Sequence, residues 1–177
     1  DSYYDTEDDE YPIFYGAKFS EIVVRDNVTS LGYNAFRNCS QLTTLTLGEN
    51  VTNIGSNALV GCGKLTTIQG VYASSDNRCW VVNGILKLFT SANLTEYTIP
   101  NNVTKVGAHA FANCDLLSNV TIPEGVISVA DYAFYDCDAL ESITLPESIQ
   151  TVSYYVFTSC NKLANIYCKA TTPPSIT

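Results

Sequence analysis

The chain has no methionine, one histidine, one tryptophan and only nine basic residues in 177. Without methionine the sequence as given does not begin at a translational start, so the expectation is that an upstream segment, most simply a signal peptide, has been removed. A single histidine, His109, leaves little from which to build a zinc site or a Cys-His nucleophilic pair, both of which need several ligating or orienting groups to converge. No apolar run approaches the roughly 20 residues that span a bilayer, so membrane insertion of the mature domain is not expected. The net charge is −9, yet six of the eighteen acids lie within residues 1–10. The remainder carries twelve acids against nine bases, a nearly neutral body without the concentrated basic surface that nucleic acid requires.

What the chain does have is a repeat. "VTSLGYNAFRNCSQLTTLTL" (28–47) returns as "VTNIGSNALVGCGKLTTIQG" (51–70), "VTKVGAHAFANCDLLSNVTI" (103–122), "VISVADYAFYDCDALESITL" (126–145) and "IQTVSYYVFTSCNKLANIYC" (149–168). Cys39 to Cys62, Cys114 to Cys137 and Cys137 to Cys160 are each 23 residues apart, while Cys62 to Cys114 is 52, so one unit is six residues longer. A second phase, apolar-x-x-apolar-x-apolar, runs from Phe19-x-x-Ile22-x-Val24 to Leu163-x-x-Ile166-x-Cys168 and counts seven coils. Its last two apolar positions are two apart, the strand period. One such strand cannot bury its apolar face alone, so the coils are expected to stack into a parallel sheet over a shared core.

The other half of each coil has a different rhythm. Ala35, Phe36, Cys39 and Leu42 fall at intervals of one, three and three, which suits a tight helical turn. Gly32, Gly55 and Gly107 stand at the bend before it, where positive φ would explain glycine, although Ala130 takes the place in the sixth coil.

The period, the phrase "VTKVGAHAFANCDLLSNVTIP" and the ending "IYCKATTPPSI" resemble the BspA-type leucine-rich repeats over residues 19–172. The resemblance implies a protein secreted from, or anchored on, host-associated anaerobic bacteria, with relatives in some parasitic protozoa. It also implies a non-enzymatic role in adhesion to host proteins, extracellular-matrix or mucosal, and no cofactor. The expected architecture is an α/β solenoid: a right-handed leucine-rich-repeat superhelix with a parallel β-sheet on the concave face and short helical turns or short strands on the convex side. Residues 1–18 read as an acidic leader and N-terminal cap, with Tyr11, Phe14 and Tyr15 closing the first coil, and 19–177 as the solenoid. A variant coil occupies about 70–93, where Val81-Val82 and Ile85-Leu86 flank Asn83-Gly84, the strongest short hairpin signal. The expected hairpin covers roughly 78–82 and 85–89 and projects from, or lies along, the convex side. Trp80 either packs within this coil beside Phe89 or leads a recognition protrusion.

Cys39, Cys62, Cys114, Cys137 and Cys160 form one column, pointing the same way from coils about 4.8 Å apart. Disulfides need Cβ atoms nearer about 3.8 Å and turned toward each other, so buried free thiols are expected. Cys168 aligns with Val24, Leu47 and Ile99 and reads as core, whereas Cys79 has no column and is the candidate for exposure. His109 aligns with Asn34, Asn57, Tyr132 and Tyr155 in a variable surface column, so no catalytic or metal-binding set is expected.

Binding candidates fall into two groups. Outward strand positions form two columns: Glu21, Thr44, Thr67, Glu96, Asn119, Ser142 and Asn165, and Val23, Thr46, Gln69, Thr98, Thr121, Thr144 and Tyr167. These short hydrogen-bonding groups suit a polypeptide ligand, or are simply good exposed strand residues. The alternative set is aromatic, Trp80, Tyr132, Tyr135, Tyr154 and Tyr155, which would serve a glycan. A third reading is a spacer displaying another domain. Pro173-Pro174 ends the seventh coil with no polar cap behind it, so the natural chain is expected to continue, or this end to meet another copy.

Overall fold

The structure is a computed structural model that describes residues 14–177. Tyr11 and the acidic leader through residue 13 lie outside the described residues. Among the described residues fifteen strands, numbered in chain order, form a parallel solenoid of seven turns. The outward-and-inward alternation of the sequence becomes the first strand of each turn: β1 (Glu21–Val24), β3 (Thr44–Leu47), β5 (Thr67–Gln69), β8 (Glu96–Thr98), β10 (Asn119–Thr121), β12 (Ser142–Leu145) and β14 (Asn165–Cys168). In β3, Leu45 and Leu47 are buried while Thr44 and Thr46 are half-buried and face outward. The repeat period is the sheet register, because Ile22 pairs with Leu45 and Leu45 with Ile68, each 23 residues on.

A second set of strands returns the chain: β2 (Ser30–Leu31), β4 (Asn53–Ile54), β9 (Lys105–Val106), β11 (Ser128–Val129), β13 (Thr151–Val152) and β15 (Ser175–Ile176). The variant coil adds β6 (Cys79–Val82) and β7 (Ile85–Phe89), an antiparallel hairpin within a residue of its expected limits. Asn83 at φ 51° and Gly84 at φ 75° make the tight turn, both in the left-handed region that two-residue hairpin loops demand. The hairpin does not project. β7 pairs in parallel with β9, so the hairpin is the first member of the sheet β6-β7-β9-β11-β13-β15.

No helix forms among the described residues. The intervals of three are real but come from successive turns: Ala35, Arg37, Cys39 and Leu42 donate their N–H groups to the carbonyls three residues back, at 2.9–3.3 Å. A helix is prevented because each regular coil enters the left-handed region twice. The first column is Asn34, Asn57, His109, Tyr132 and Tyr155, at φ 54–60°, and the second is Asn38, Gly61, Asn113, Asp136 and Ser159, at φ 56–76°. A helix needs φ near −63° throughout. Neighbouring turns are instead tied edge to edge, with Asn34, Phe36 and Asn38 donating to the carbonyls of Ser56, Ala58 and Val60 at 3.1, 2.8 and 2.7 Å.

The bend glycines have a different reason from the expected one, since Gly55 and Gly107 are not at positive φ. A Cβ on Gly55 would lie 2.5 Å from the carbonyl carbon of Gly32, and one on Gly107 would lie 2.6 Å from the Leu86 oxygen. Close approach of adjacent coils is the constraint.

The hairpin divides the core in two. Trp80, Val82 and Leu88 pack with Leu42, Leu45, Leu65 and their neighbours in the first three coils. Cys79, Val81, Leu86 and Phe89 pack with Phe111, Phe134, Leu140 and the rest of the later coils. All four residues of β6 are buried because each face of the strand meets a different core. Both sheets part at this wall, leaving β1-β3-β5 and β2-β4 on one side and β8-β10-β12-β14 with the six-stranded sheet on the other.

Candidate interaction surface

The strand columns are assembled as the sequence proposes, but in two blocks. Glu21, Thr44 and Thr67 stand in register, as do Val23, Thr46 and Gln69, with Thr46 Oγ1 donating to Gln69 Oε1 at 3.2 Å. Across the wall the columns resume as Glu96, Asn119, Ser142 and Asn165, and as Thr98, Thr121, Thr144 and Tyr167. No ladder joins β5 to β8, so a ligand lying on the later block meets an unbroken face of four strands.

The join between blocks is a polar knot that the sequence did not reveal. Tyr97, which takes the middle apolar position of the repeated phrase in Leu94-x-x-Tyr97-x-Ile99, donates its hydroxyl to Asp76 Oδ2 at 2.9 Å and sits 3.1 Å from Cys79 Sγ. Asp76 also accepts from the Arg78 N–H at 3.1 Å and from the Ser74 hydroxyl. Burial opposes the charge on Asp76, but these hydrogen bonds outweigh it and hold the carboxyl below its usual range. Burial pushes the Tyr97 hydroxyl well up, so it stays a donor.

The aromatic candidates separate. Trp80 is fully buried, its indole N–H donating to the Val51 carbonyl at 2.9 Å and its ring edge-on to Tyr72, and it therefore leads no protrusion and stacks on no ligand. The remaining rings form a ladder that includes the histidine. His109 stacks on Tyr132 at 5.2 Å and Tyr132 on Tyr155 at 5.3 Å, with interplanar angles of 14° and 10°. Tyr135 meets Tyr132 edge-on at 5.8 Å, and Tyr154 lies 6.2 Å from Tyr155. Tyr154 and Tyr155 are 58% and 63% exposed, whereas Tyr132 and Tyr135 are half-buried. The planar residues of one column were the available signal, since every coil places that position at the same point of its turn. Burial pushes the His109 imidazole below its usual pKa, against the pull of Asp131.

The cysteine column is one of free thiols, buried in four coils and half-buried at Cys160. Cys62 and Cys137 donate to the carbonyls of Phe36 and Phe111 in the preceding coil at 3.1 Å, and Cys160 to that of Phe134 at 2.9 Å. Burial raises the Cys62 thiol to about 12, which leaves it a poor nucleophile. Two cysteines exchange their expected environments. Cys79 is fully buried, facing the later core, and burial lifts it to about 12. Cys168 is exposed because no further coil covers its strand, and Ile166 and Tyr167 share that exposure.

No helix of the described residues is long and apolar enough to cross a membrane. None of the curated proteins compared with the chain matches it. Among solved structures, the T. pallidum leucine-rich repeat protein is 22% identical with a TM-score of 0.55, over 85% of this chain and 71% of its own. A leucine-rich repeat protein from Bacteroides ovatus is 25% identical with a TM-score of 0.50, over 84% of this chain and 48% of its own. A leucine rich cell surface protein from Faecalibacterium prausnitzii is 25% identical with a TM-score of 0.45, over 82% of this chain and 52% of its own. The chain thus spans about half the length of the last two. The model of the BspA type leucine rich repeat region matches six copies over residues 10–75 and 86–174, leaving out the outer strand and turn of the hairpin, and the chain belongs to that family.

Proposed function

We propose that this chain is a non-enzymatic recognition module, presented at a cell surface or secreted, that binds a protein ligand, with adhesion to host matrix or mucosal protein as its role. Leucine-rich repeat proteins generally serve as scaffolds for protein interaction. The observation that carries the reading is the face of β8-β10-β12-β14. Thr98, Thr121, Thr144 and Tyr167 stand side by side at strand spacing, next to Glu96, Asn119, Ser142 and Asn165. Hydroxyl and amide groups in rows about 4.8 Å apart suit a polypeptide laid across the strands, and the exposed Tyr167 supplies the aromatic anchor typical of interface hot spots.

A glycan reading keeps one observation in its favour, the exposure of Tyr154 and Tyr155. Against it, both faces of Tyr132 are already spent on His109 and Tyr155, so the ladder leaves a sugar only its end ring and not a row of open faces.

A screen of the purified protein against matrix proteins, mucins and isolated glycans tests the reading. A saturable protein hit should weaken by tenfold or more, about 1.4 kcal/mol, in Thr121→Asp with Thr144→Asp. Stability should fall by no more than about 1–2 kcal/mol, since Thr121 is exposed and Thr144 half-buried and the two carboxylates would stand side by side in register. Binding that survives those changes and is lost in Tyr155→Ala would transfer the site to the ring ladder.

A further inference from the structure

The turns of adjacent regular coils are laced together, and the lacing has one gap. In the first regular pair Asn34, Phe36 and Asn38 donate to Ser56, Ala58 and Val60; in another, His109, Phe111 and Asn113 donate to Asp131, Ala133 and Tyr135. The variant coil omits its turn, since β7 runs directly into residues 90–93. Among the described residues the N–H groups of Asn57, Leu59 and Gly61 therefore meet no acceptor. Opposite them, the carbonyls of Ala108, Ala110 and Ala112 meet no donor among the described residues. All six residues line one cleft of about 290 Å³, floored by residues 87–92. The Nδ1 atom of His109, in the acceptor wall, is buried without a partner.

We propose that this cleft binds a short segment of another polypeptide, seated where the variant coil omits its turn. One wall is a row of three donors and the other a row of three acceptors, and one coil left out opens about 9.6 Å, twice the strand spacing. A single polypeptide backbone fits that description: carbonyls of alternate residues accept from Asn57, Leu59 and Gly61, and amides of the residues between them donate to Ala108, Ala110 and Ala112. The turn at 131–136 is held in this way, accepting from the N–H groups of His109, Phe111 and Asn113 and donating through Phe134 and Asp136 to the carbonyls of Val156 and Thr158. Recognition by main chain gives affinity with little demand on side-chain sequence, as in other strand-addition modes. This site is separate from the outward strand columns and does not depend on their binding anything.

The test uses the whole chain, isotope-labelled, and an acetylated, amidated peptide with the sequence of residues 32–39 carrying Cys39→Ser. Addition of the peptide should shift the amide signals of Asn57, Leu59 and Gly61 and the carbonyl signals of Ala108, Ala110 and Ala112, and slow exchange of the three amide protons by about tenfold or more. N-methylation of the peptide at its Phe36 position should abolish these changes, and at its Tyr33 position should not. Absence of shifts at millimolar peptide, equal loss with both N-methylated peptides, or shifts at the open-end amides of Tyr155, Phe157 and Ser159 instead would overturn the proposal.

Discussion

A regular coil and the variant coil meet the same requirement by different means. Each must bury its apolar stripe and satisfy its backbone. The regular coil does so by repetition: Leu117, Cys114, Phe111 and Val120 each sit over their equivalents in the next coil, and both strands and turn are hydrogen-bonded to it. The variant coil has no equivalent to sit over. It seals two cores with the two faces of one hairpin, gives up both sheet ladders on its amino-terminal side, and secures the join through side chains such as Trp80, Thr90 and Asp76. Stacking by identity is tolerant of side-chain detail, whereas the join depends on a few individual residues.

That contrast can be broken most forcefully at Trp80. Trp80→Ala should cost about 3–5 kcal/mol in denaturant unfolding, the range for large core truncations, and should separate the melting of the first three coils from that of the rest. A single cooperative transition with little loss would mean that the hairpin is no partition. Next in size is Gly107→Ala, whose Cβ would meet the Leu86 oxygen at 2.6 Å and which should cost about 1–3 kcal/mol as overpacking. Ala130→Gly, at the equivalent place in a regular coil, should cost about 0.5–1 kcal/mol.

Asp76→Asn gives a smaller and pH-dependent effect. The folded carboxyl is held below its unfolded value, near 3.9, so its contribution is present above that pH and is lost as pH falls through the folded value. Wild type should exceed the variant at pH 6 by less than about 1 kcal/mol, because the group is largely solvated, and the two should converge toward pH 2. A constant difference across that range would remove Asp76 from the join. Cysteine labelling needs no stability change at all: iodoacetamide should modify Cys168 first and leave Cys79 and Cys62 untouched while the protein is folded. Rapid labelling of Cys79 would contradict the sealed hairpin.

The sequence was most readable where it repeats. A period of 23 states which residues are equivalent, and equivalence in a stack is register, so the sequence alone aligns Ile22, Leu45 and Ile68. Asn83-Gly84 likewise placed the hairpin through the local demand of its turn. Conformation within the repeat was less legible: spacing of three residues is common to a helical turn and to consecutive single turns, and only φ at Asn34 and Asn38 separates them. Errors gathered where equivalence stops. Cys168 lies in a core column but has no coil above it, and Cys79 and Trp80 lie in no column but are enclosed from both sides. The candidate binding columns were legible in full, their division into two blocks was not, and the turn-side cleft follows from an omitted segment that leaves no letter in the sequence.

The hairpin wall also fixes how the molecule would carry a mechanical load. Stretched between its ends, a uniform stack peels from a terminus, because every junction has the same three rows of backbone bonds. Here the junction after β5 lacks those rows and is closed by an indole, a hydroxyl and a carboxylate. Under tension the chain should yield first at its middle, parting into two short rods, of which the first loses Trp80, Val82 and Leu88 from its core and the second keeps its own.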